Sequence, residues 1–279
     1  MTDTHGNTLP WLEVVTGEAP LLVTFPHTGV DIPVEIERDF VSLWHARRDA
    51  DWWIDRLYAF AHQMGATTVR TRISRSVIDV NRDPSGASLY PGQATTELCP
   101  TTDFDGSSLY LNDPPDAGEI DRRRRTWFDP YHAAITAELQ RLRAKYSRVV
   151  LYDAHSIRSW IPRLFDGQLP QFNVGTNRAT SCDPALEQGI AALCTASGHS
   201  TVVNGRFTGG WTTRHYGKPG EGIHAIQMEL AIRGYAADVA VPDPGNWPPS
   251  YEPEFAAPMQ AILREILHHT ITFAEGKHA

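Results

Sequence analysis

The stretch VVLYDAHSIRS at residues 149–159 is an apolar run that ends in ionisable and hydroxyl side chains. Its first four residues are typical of a buried strand, and Asp153, His155, Ser156 and Arg158 follow them. A buried polar group must find a partner or cost free energy, so this cluster is unsuited to a core. The stretch therefore predicts a functional site at the end of a buried strand.

Strand-like and helical segments alternate along the chain around this stretch. The alternation predicts an α/β fold with a mostly parallel or mixed central sheet and helices on both faces. Since no linker interrupts the pattern, residues 1–279 are predicted to form a single catalytic α/β domain. Residues 83–113 have no period, which predicts a long functional loop. Further strands are predicted at 21–25, 67–72, 76–80, 171–176, 200–204 and 223–231, and helices at 49–65, 115–146, 183–197 and 254–275.

Composition and charge argue against several classes of protein. The formal charge is −8, and the one basic run, Arg122–Arg125, lies in a helical pattern beside acids, so nucleic acid is not an expected partner. No window of eighteen apolar residues predicts a membrane span, and the first residues lack the pattern of a secretory signal. Three cysteines without CxxC or CxxxC spacing predict no disulfide framework and a reducing cytoplasm.

Polar residues follow several of the predicted strands. His27 comes after the strand at 21–25, and Asn81 and Arg82 come after the strand at 76–80. Asn204 and Arg206 follow in the same way after the strand near 200. Open α/β sheets bind their ligands outside the carboxyl ends of the strands, so we expect these residues to share one site.

The strand-end histidines predict a metal site. Two histidines and a carboxylate are the usual protein ligands of a catalytic zinc, and His27 and His155 are the best imidazole candidates. The alternative for each is an ordinary hydrogen-bonded histidine. Asp51 could turn towards His27, but its position at a helix start favours a helix N-cap. Asp153 could be a ligand, or it could orient His155.

Glu229 lies within the strand IHAIQMELA, where alternation places it on the same face as Ala225 and Gln227. A glutamate in such a strand is costly unless it is paired or used. It could be a general base beside a metal, and the alternative is a structural salt bridge to an arginine.

Several arginines lie in or beside these clusters although the protein is acidic overall. A guanidinium binds a carboxylate in a bidentate fork, so the arginines predict a small-molecule substrate that carries carboxylates. They are Arg75, Arg82, Arg158, Arg206 and Arg214.

Five segments resemble the N-formylglutamate amidohydrolase family, in the same order over about residues 12 to 235. The resemblance implies hydrolysis of N-formylglutamate to formate and glutamate in histidine degradation, and a fold similar to that of the zinc carboxypeptidases and other zinc-dependent exopeptidases. The segments are PLLVTFPHTG, SRSVIDVNRDP, LYDAHSIRS, FNVGTN and NGRFTGGWTTRHYGKPGEGIHAIQMELA.

The resemblance also implies roles for single residues. Carboxypeptidases take two ligands from a His-x-x-Glu motif, but Val30 stands three residues after His27, and the resemblance points by position to Asp51. By this resemblance, one divalent metal ion, zinc, is thus expected on His27, Asp51 and His155. Glu229 is the expected general base, and Arg75 assists the oxyanion. The substrate-binding candidates are Asn81, Arg82, Asn204, Arg206, Arg214 and His215.

Two other functions remain open from the sequence. One is another metal-dependent hydrolase, acting on a different N-acyl amino acid or on peptides as a carboxypeptidase. The other is a non-catalytic binding protein for acidic metabolites, which would need the arginines but neither Glu229 nor a metal. Metal content and turnover of several N-acyl amino acids distinguish the three.

Overall fold

The computed structural model describes residues 9–88, 92 and 95–276, and a seven-stranded mixed sheet lies at its centre. The order is β1-β3-β2-β4-β7-β5-β6, and neighbours run parallel except in the β1–β3 and β5–β7 pairs. The predicted α/β fold with a mostly parallel sheet is confirmed. The strands are β1 (Leu12–Val15), β2 (Leu21–Phe25), β3 (Thr67–Thr71), β4 (Val149–Ile157), β5 (Phe172–Gly175), β6 (Thr201–Val203) and β7 (Ile223–Ala231).

Helices cover both faces of the sheet, and β4 shows how the sequence directs them. Val149 and Leu151 point into one core, which includes α5, whereas Val150 and Tyr152 point into the other, which includes α6 and α8. Within the described ranges, no helix has the length and apolar content that a membrane crossing needs. The α-helices are α1 (Val34–Glu37), α2 (Leu43–Arg48), α3 (Ile54–Leu57), α4 (Ala117–Arg123), α5 (Asp129–Arg143), α6 (Pro184–Ala196), α7 (Trp211–Tyr216) and α8 (Pro253–Ala274).

The predicted helix at 49–65 is wrong over its first five residues, 49–53. Asp51 does not cap a helix, since α3 begins after Trp53, a residue in the left-handed region with φ 67°. A 3₁₀ helix at Ala59–Met64 follows α3, and Gly65 ends it as predicted. The irregular start releases the Asp51 side chain to point into the protein.

The predicted strand at 76–80 is also wrong, because this segment forms turns. The backbone N–H of Asp79 donates to Leu98 O at 2.7 Å, and the Asp79 carboxylate accepts from Asn81 N at 2.9 Å. The apolar residues Val77, Ile78 and Val80 are buried without joining the sheet.

Other boundaries differ by little. The helix predicted at 115–146 is α4 and α5 joined by one π-helical segment, Arg124–Phe128. Strand β1 and helices α1, α2 and α7 were not predicted, since each is too short to show a period. In the predicted loop at 83–113, residues 89–91 and 93–94 lie outside the described residues.

Candidate active site

Three of the predicted metal ligands converge at the end of the central strands. Nδ1 of His27 and Nδ1 of His155 are 3.2 Å apart, and Asp51 Oδ2 lies 3.0 Å from His155 Nδ1 and 3.7 Å from His27 Nδ1. All three side chains are buried. His27 follows β2, His155 lies inside β4, and Asp51 precedes α3. Strands β2 and β4 are parallel neighbours, which brings the two histidines together.

The spacing of these three atoms fits a metal ion. Ligand atoms about 2.1 Å from a tetrahedral zinc ion lie about 3.4 Å from one another, which is close to the observed separations. If each ring carries its proton on Nε2, both Nδ1 lone pairs point at the same position and repel each other. A cation there would remove the repulsion, so this buried group could hold a metal.

Two buried aspartates fix the outer nitrogens of the histidines. His27 Nε2 lies 2.6 Å from Asp79 Oδ1, and His155 Nε2 lies 2.9 Å from Asp153 Oδ2. The other Asp153 oxygen accepts from Thr24 Oγ1 at 2.6 Å. A carboxylate on Nε2 holds the ring orientation and leaves Nδ1 for a metal. Asp153 therefore has the contact needed to orient His155, which is one of the two roles that the sequence analysis left open for it.

The charges of the group support one another despite their burial. Burial alone would raise the pKa of Asp51, but His27 and His155 outweigh it and hold that pKa below its ordinary value. Burial would lower the pKa of His155, but Asp153 and Asp51 raise it well above the ordinary value. Without a metal, a proton on His155 can therefore neutralise part of the cluster.

Glu229 lies directly beside the three candidate ligands. Its position on β7 pairs with His155 on β4, and its Oε2 accepts a hydrogen bond from Gln227 Nε2 at 2.9 Å. Gln227 Oε1 accepts in turn from Gly210 N at 2.6 Å. Burial, reinforced by the charge of Asp51, raises the pKa of Glu229 to about 7. A carboxylate with that pKa can accept and return a proton near neutral pH.

A pocket opens in front of these residues, and three of the five arginines chosen from the sequence line it. Arg75 Nη2 donates to Asp79 Oδ2 at 2.7 Å. Burial would lower the pKa of Arg75, but the carboxylates of Asp79, Asp51 and Asp49 outweigh it and raise that pKa. Arg82 donates to Thr96 O and Oγ1, both at 3.0 Å. The remaining pocket residues include His27, Asn81, Thr95, Phe104, His155, Ser156, Ile157, Leu164, Arg206, Phe207, Gly210, Gln227 and Glu229.

The other predicted binding residues lie away from the pocket lining. Asn204, in the left-handed region with φ 52°, accepts a hydrogen bond from Thr176 N. This bond joins the loop after β6 to the residue that follows β5. Arg214 donates to Gly209 O and Thr208 Oγ1, and His215 stacks on Trp211 at 4.1 Å between ring centroids. Arg158 forms an ion pair with Asp105 at 2.8 Å.

Asn81 lines the pocket, but its side chain is engaged in the frame behind it. Its Nδ2 donates to Asp153 Oδ2 at 3.0 Å, and its Oδ1 accepts from Thr212 N at 2.8 Å. Asn81 therefore links Asp153, the aspartate that orients His155, with the start of α7.

Sequence reasoning gave no role to Asp79 or Gln227, although both hold candidate active-site residues in place. A signal for Asp79 was present, because an acid inside the apolar run SVIDV is costly for the same reason as Glu229 in IHAIQMELA.

Comparison with known proteins gives the same family as the sequence motifs. Residues 19–236 match the N-formylglutamate amidohydrolase family. The chain is 43% identical over 265 residues to the N-formylglutamate deformylase of Pseudomonas aeruginosa, which covers 94% of this chain and 97% of the relative. The chain belongs to the N-formylglutamate amidohydrolase family. A second relative in that family, the N-formylglutamate deformylase of Pseudomonas putida, is 40% identical over 94% of this chain and 96% of its own length.

Solved structures share the fold. A crystal structure of N-formylglutamate amidohydrolase from Ralstonia eutropha JMP134 has a TM-score of 0.76 and 20% identity, covering 96% of this chain and 98% of the other. A gene product of Agrobacterium tumefaciens has a TM-score of 0.69 and 17% identity, covering 94% and 95%. At this identity the likeness concerns the fold of the family and not the chemistry of its members.

Proposed function

We propose that this protein hydrolyses the amide of N-formyl-L-glutamate to formate and L-glutamate with one zinc ion held by His27, Asp51 and His155. The observation that carries the proposal is the convergence of these three ligand atoms beside Glu229, in a pocket lined by arginines. The names of the Pseudomonas relatives support the choice of substrate. When bound, the ion would acidify a water molecule and polarise the formyl carbonyl.

Glu229 is the proposed general base. Its carboxylate takes a proton from the attacking water, whose oxygen bonds to the formyl carbon. As the carbon–nitrogen bond breaks, Glu229 returns the proton to the nitrogen of the departing glutamate. Burial raises the pKa of Glu229, which makes its carboxylate a better proton acceptor in the first of these transfers.

The arginines are proposed to bind the substrate's charges. Arg75, whose Nη1 is 3.5 Å from Asp51 Oδ1, is close enough to the metal group to stabilise an oxyanion on the formyl carbon. Arg82 and Arg206 line the same pocket and are the first candidates for the two carboxylates of N-formylglutamate. Arg214, His215 and Asn204 rank below these two arginines as candidates, since they lie outside the pocket lining.

The proposal extends to the setting of the enzyme. Two cores on opposite faces of one sheet support a single catalytic domain over the chain. The three cysteines, Cys99, Cys182 and Cys194, are free thiols, which supports a cytoplasmic location. Histidine degradation, which the family resemblance implies, is the proposed source of the substrate.

Formate release from metal-free and zinc-loaded protein tests the mechanism. Chelation should abolish hydrolysis of N-formylglutamate, and stoichiometric zinc should restore it. Side-by-side assays with N-acetylglutamate, N-succinylglutamate and short peptides separate this function from the other hydrolases. Full turnover in protein verified to be metal-free would reject the metal mechanism.

Comparison with N-formylglutamine tests the carboxylate site. The two substrates differ by one side-chain charge, and a charge-assisted hydrogen bond contributes about 1.5 to 3 kcal/mol. We therefore expect kcat/KM to be about 10- to 100-fold higher for the acid. Equal kcat/KM values would exclude an arginine clamp on the side-chain carboxylate.

A further inference from the structure

The Asp79 carboxylate uses its two oxygens for two different parts of the site. Oδ1 lies 2.6 Å from His27 Nε2 and accepts from Asn81 N at 2.9 Å. Oδ2 accepts from Arg75 Nη2 at 2.7 Å and lies 3.7 Å from Arg82 Nη2. One oxygen therefore faces a candidate metal ligand, and the other faces two pocket arginines. Asp79 is fully buried, so solvent does not screen these contacts.

Asp153 provides an internal comparison, because it holds the other histidine without contacting an arginine among the described residues. Its Oδ2 lies 2.9 Å from His155 Nε2 and 3.0 Å from Asn81 Nδ2. Its Oδ1 accepts from the neutral hydroxyl of Thr24 at 2.6 Å. Asp153 and Asp79 are equally buried. Both aspartates thus hold a histidine, but of the two only Asp79 has a described contact with an arginine.

Arg75 has a competing partner within reach. Its Nη1 is 3.5 Å from Asp51 Oδ1, and Asp51 is one of the three candidate ligands. The Phe104 ring covers the guanidinium at 4.9 Å, so the arginine lies between a phenyl wall and two carboxylates. If the charge of Asp79 were removed, Asp51 would be the nearest remaining anion. Arg75 would then move closer to Asp51.

We propose that Asp79 is a positioning residue that couples metal binding to substrate binding. By holding Arg75 with one oxygen, it limits how closely this guanidinium approaches Asp51, and by holding His27 with the other, it directs Nδ1 at the metal position. The part of the proposal that concerns the substrate rests on the proposed function. The part that concerns the metal rests on the ligand geometry alone.

Zinc affinity tests the metal part independently of turnover. Dissociation constants are measured by competition with a chromophoric chelator for Asp79→Asn and Asp153→Asn, each with and without Arg75→Met. Both single aspartate variants should bind zinc about 10- to 100-fold more weakly than the wild type, because each loses the partner of one histidine. Adding Arg75→Met should recover at least about threefold more affinity in Asp79→Asn than in Asp153→Asn, since only there does Arg75 turn to Asp51.

Substrate affinity tests the second part, with zinc saturating each variant. Asp79→Asn should raise KM for N-formylglutamate about tenfold or more, because the carboxylate that faces Arg82 at 3.7 Å is lost and Arg82 is a first candidate for a substrate carboxylate. Asp153→Asn should stay within about twofold of the wild type, since its contacts include no guanidinium. If the wild type binds zinc but does not hydrolyse N-formylglutamate, the proposed function fails, and the zinc measurements still decide the role of Asp79.

Two results would overturn the proposal. One is an equal effect of Arg75→Met on zinc affinity in both aspartate variants. The other is an equal effect of the two aspartate variants on KM. Should Asp79→Asn yield no folded protein, Asp79→Ser replaces it in both measurements. Its hydroxyl carries no charge and is too short to hold His27 and Arg75 together.

Discussion

Glu229 is a buried acid whose surroundings raise its pKa. Its carboxylate accepts a hydrogen bond from the neutral amide of Gln227, whereas the sequence also allowed a structural salt bridge to an arginine. Burial raises its pKa to about 7, close to the pH at which a general base is most effective. A raised pKa brings no advantage to an acid that only holds the fold together. The environment of Glu229 therefore favours the catalytic interpretation.

Replacing Glu229 with glutamine tests that interpretation. Glu229→Gln keeps the shape and can still hydrogen-bond to its neighbour, but it cannot accept a proton from water. We expect kcat for N-formylglutamate to fall by about two to four orders of magnitude, with zinc content and fold unchanged. Glu138→Gln is the matched control, because Glu138 pairs with Arg141 at 2.7 Å and lies outside the pocket lining. Near-normal turnover in Glu229→Gln would mean that another group moves the proton.

Asp51 makes a separate prediction at the level of a single ligand. Asparagine caps a helix about as well as aspartate, so a cap would tolerate the change, but a metal ligand would lose its charge. Asp51→Asn should therefore lower zinc affinity by about tenfold or more while circular dichroism stays the same. In the control Asp55→Asn, the lost ion pair with Arg70 is partly exposed and zinc affinity should not change. Unaltered zinc content in Asp51→Asn would transfer the ligand role to another acid.

At the scale of elements, the glycines before α7 allow this helix to lie close to Asn81, which contacts Asp153. A Cβ at Gly210 would lie 2.4 Å from Asn81 Nδ2, a distance that atoms do not tolerate. The backbone N–H of Gly210 also holds Gln227, which contacts Glu229. Within the segment NGRFTGGWTTRHYG, Arg206, Phe207 and Gly210 line the pocket, whereas Arg214 and His215 lie on α7 outside the lining.

Gly210→Ala should disturb the site without touching a ligand. The methyl group displaces Asn81, which holds Asp153, so we expect zinc affinity and kcat/KM each to fall about tenfold or more. Gly220→Ala is the control, because no atom lies within 4 Å of a Cβ there. Zinc titration and steady-state kinetics of both variants provide the comparison. Wild-type values in Gly210→Ala would show that α7 moves away at no cost.

The elements that the sequence predicted best are those with strong burial patterns. The predicted bounds of β2 and β7 are those of the structure, since LLVTF is fully buried and IHAIQMELA is buried after its first residue. Periodicity failed at SVIDV, because burial in a turn and burial in a strand leave the same apolar pattern. It failed again at residues 49–53, where the Asp51 contact with His155 replaces a regular helix start.

At the scale of the whole molecule, the sheet order assembles the site. Strands β2, β4 and β7 are adjacent, which places His27, His155 and Glu229 side by side. The sequence indicated that each residue follows or lies in a strand, and the family resemblance supplied Asp51. The strand order and the route of the segment with Asp79 depend on long-range packing, which a local pattern does not contain. The orienting contacts were therefore less predictable than the candidate ligands.

His132 links α5 to Val80 and to α7. We expect it to make the free energy of unfolding depend on pH. The ring lies 2.8 Å from Val80 O and 3.1 Å from the Tyr216 hydroxyl, and it packs edge-on to Trp211. Burial is the main reason that its pKa is lowered to about 3. The native state therefore keeps His132 neutral under conditions in which the unfolded chain protonates it.

The sign of the effect follows from the two states. An unfolded histidine titrates near pH 6.5, so below that pH the unfolded state takes up a proton that the native state refuses. Between about pH 6.5 and the native pKa of about 3, His132 should therefore lower the free energy of unfolding by up to about 1.4 kcal/mol per pH unit as the pH falls. Urea unfolding of chelated protein between pH 5 and 7.5 should show a shallower slope in His132→Gln, whose amide can still donate to Val80. The exposed His268 provides the control His268→Gln, which should keep the wild-type slope. Parallel slopes in all three proteins would show that His132 is protonated in the folded state as readily as in the unfolded chain.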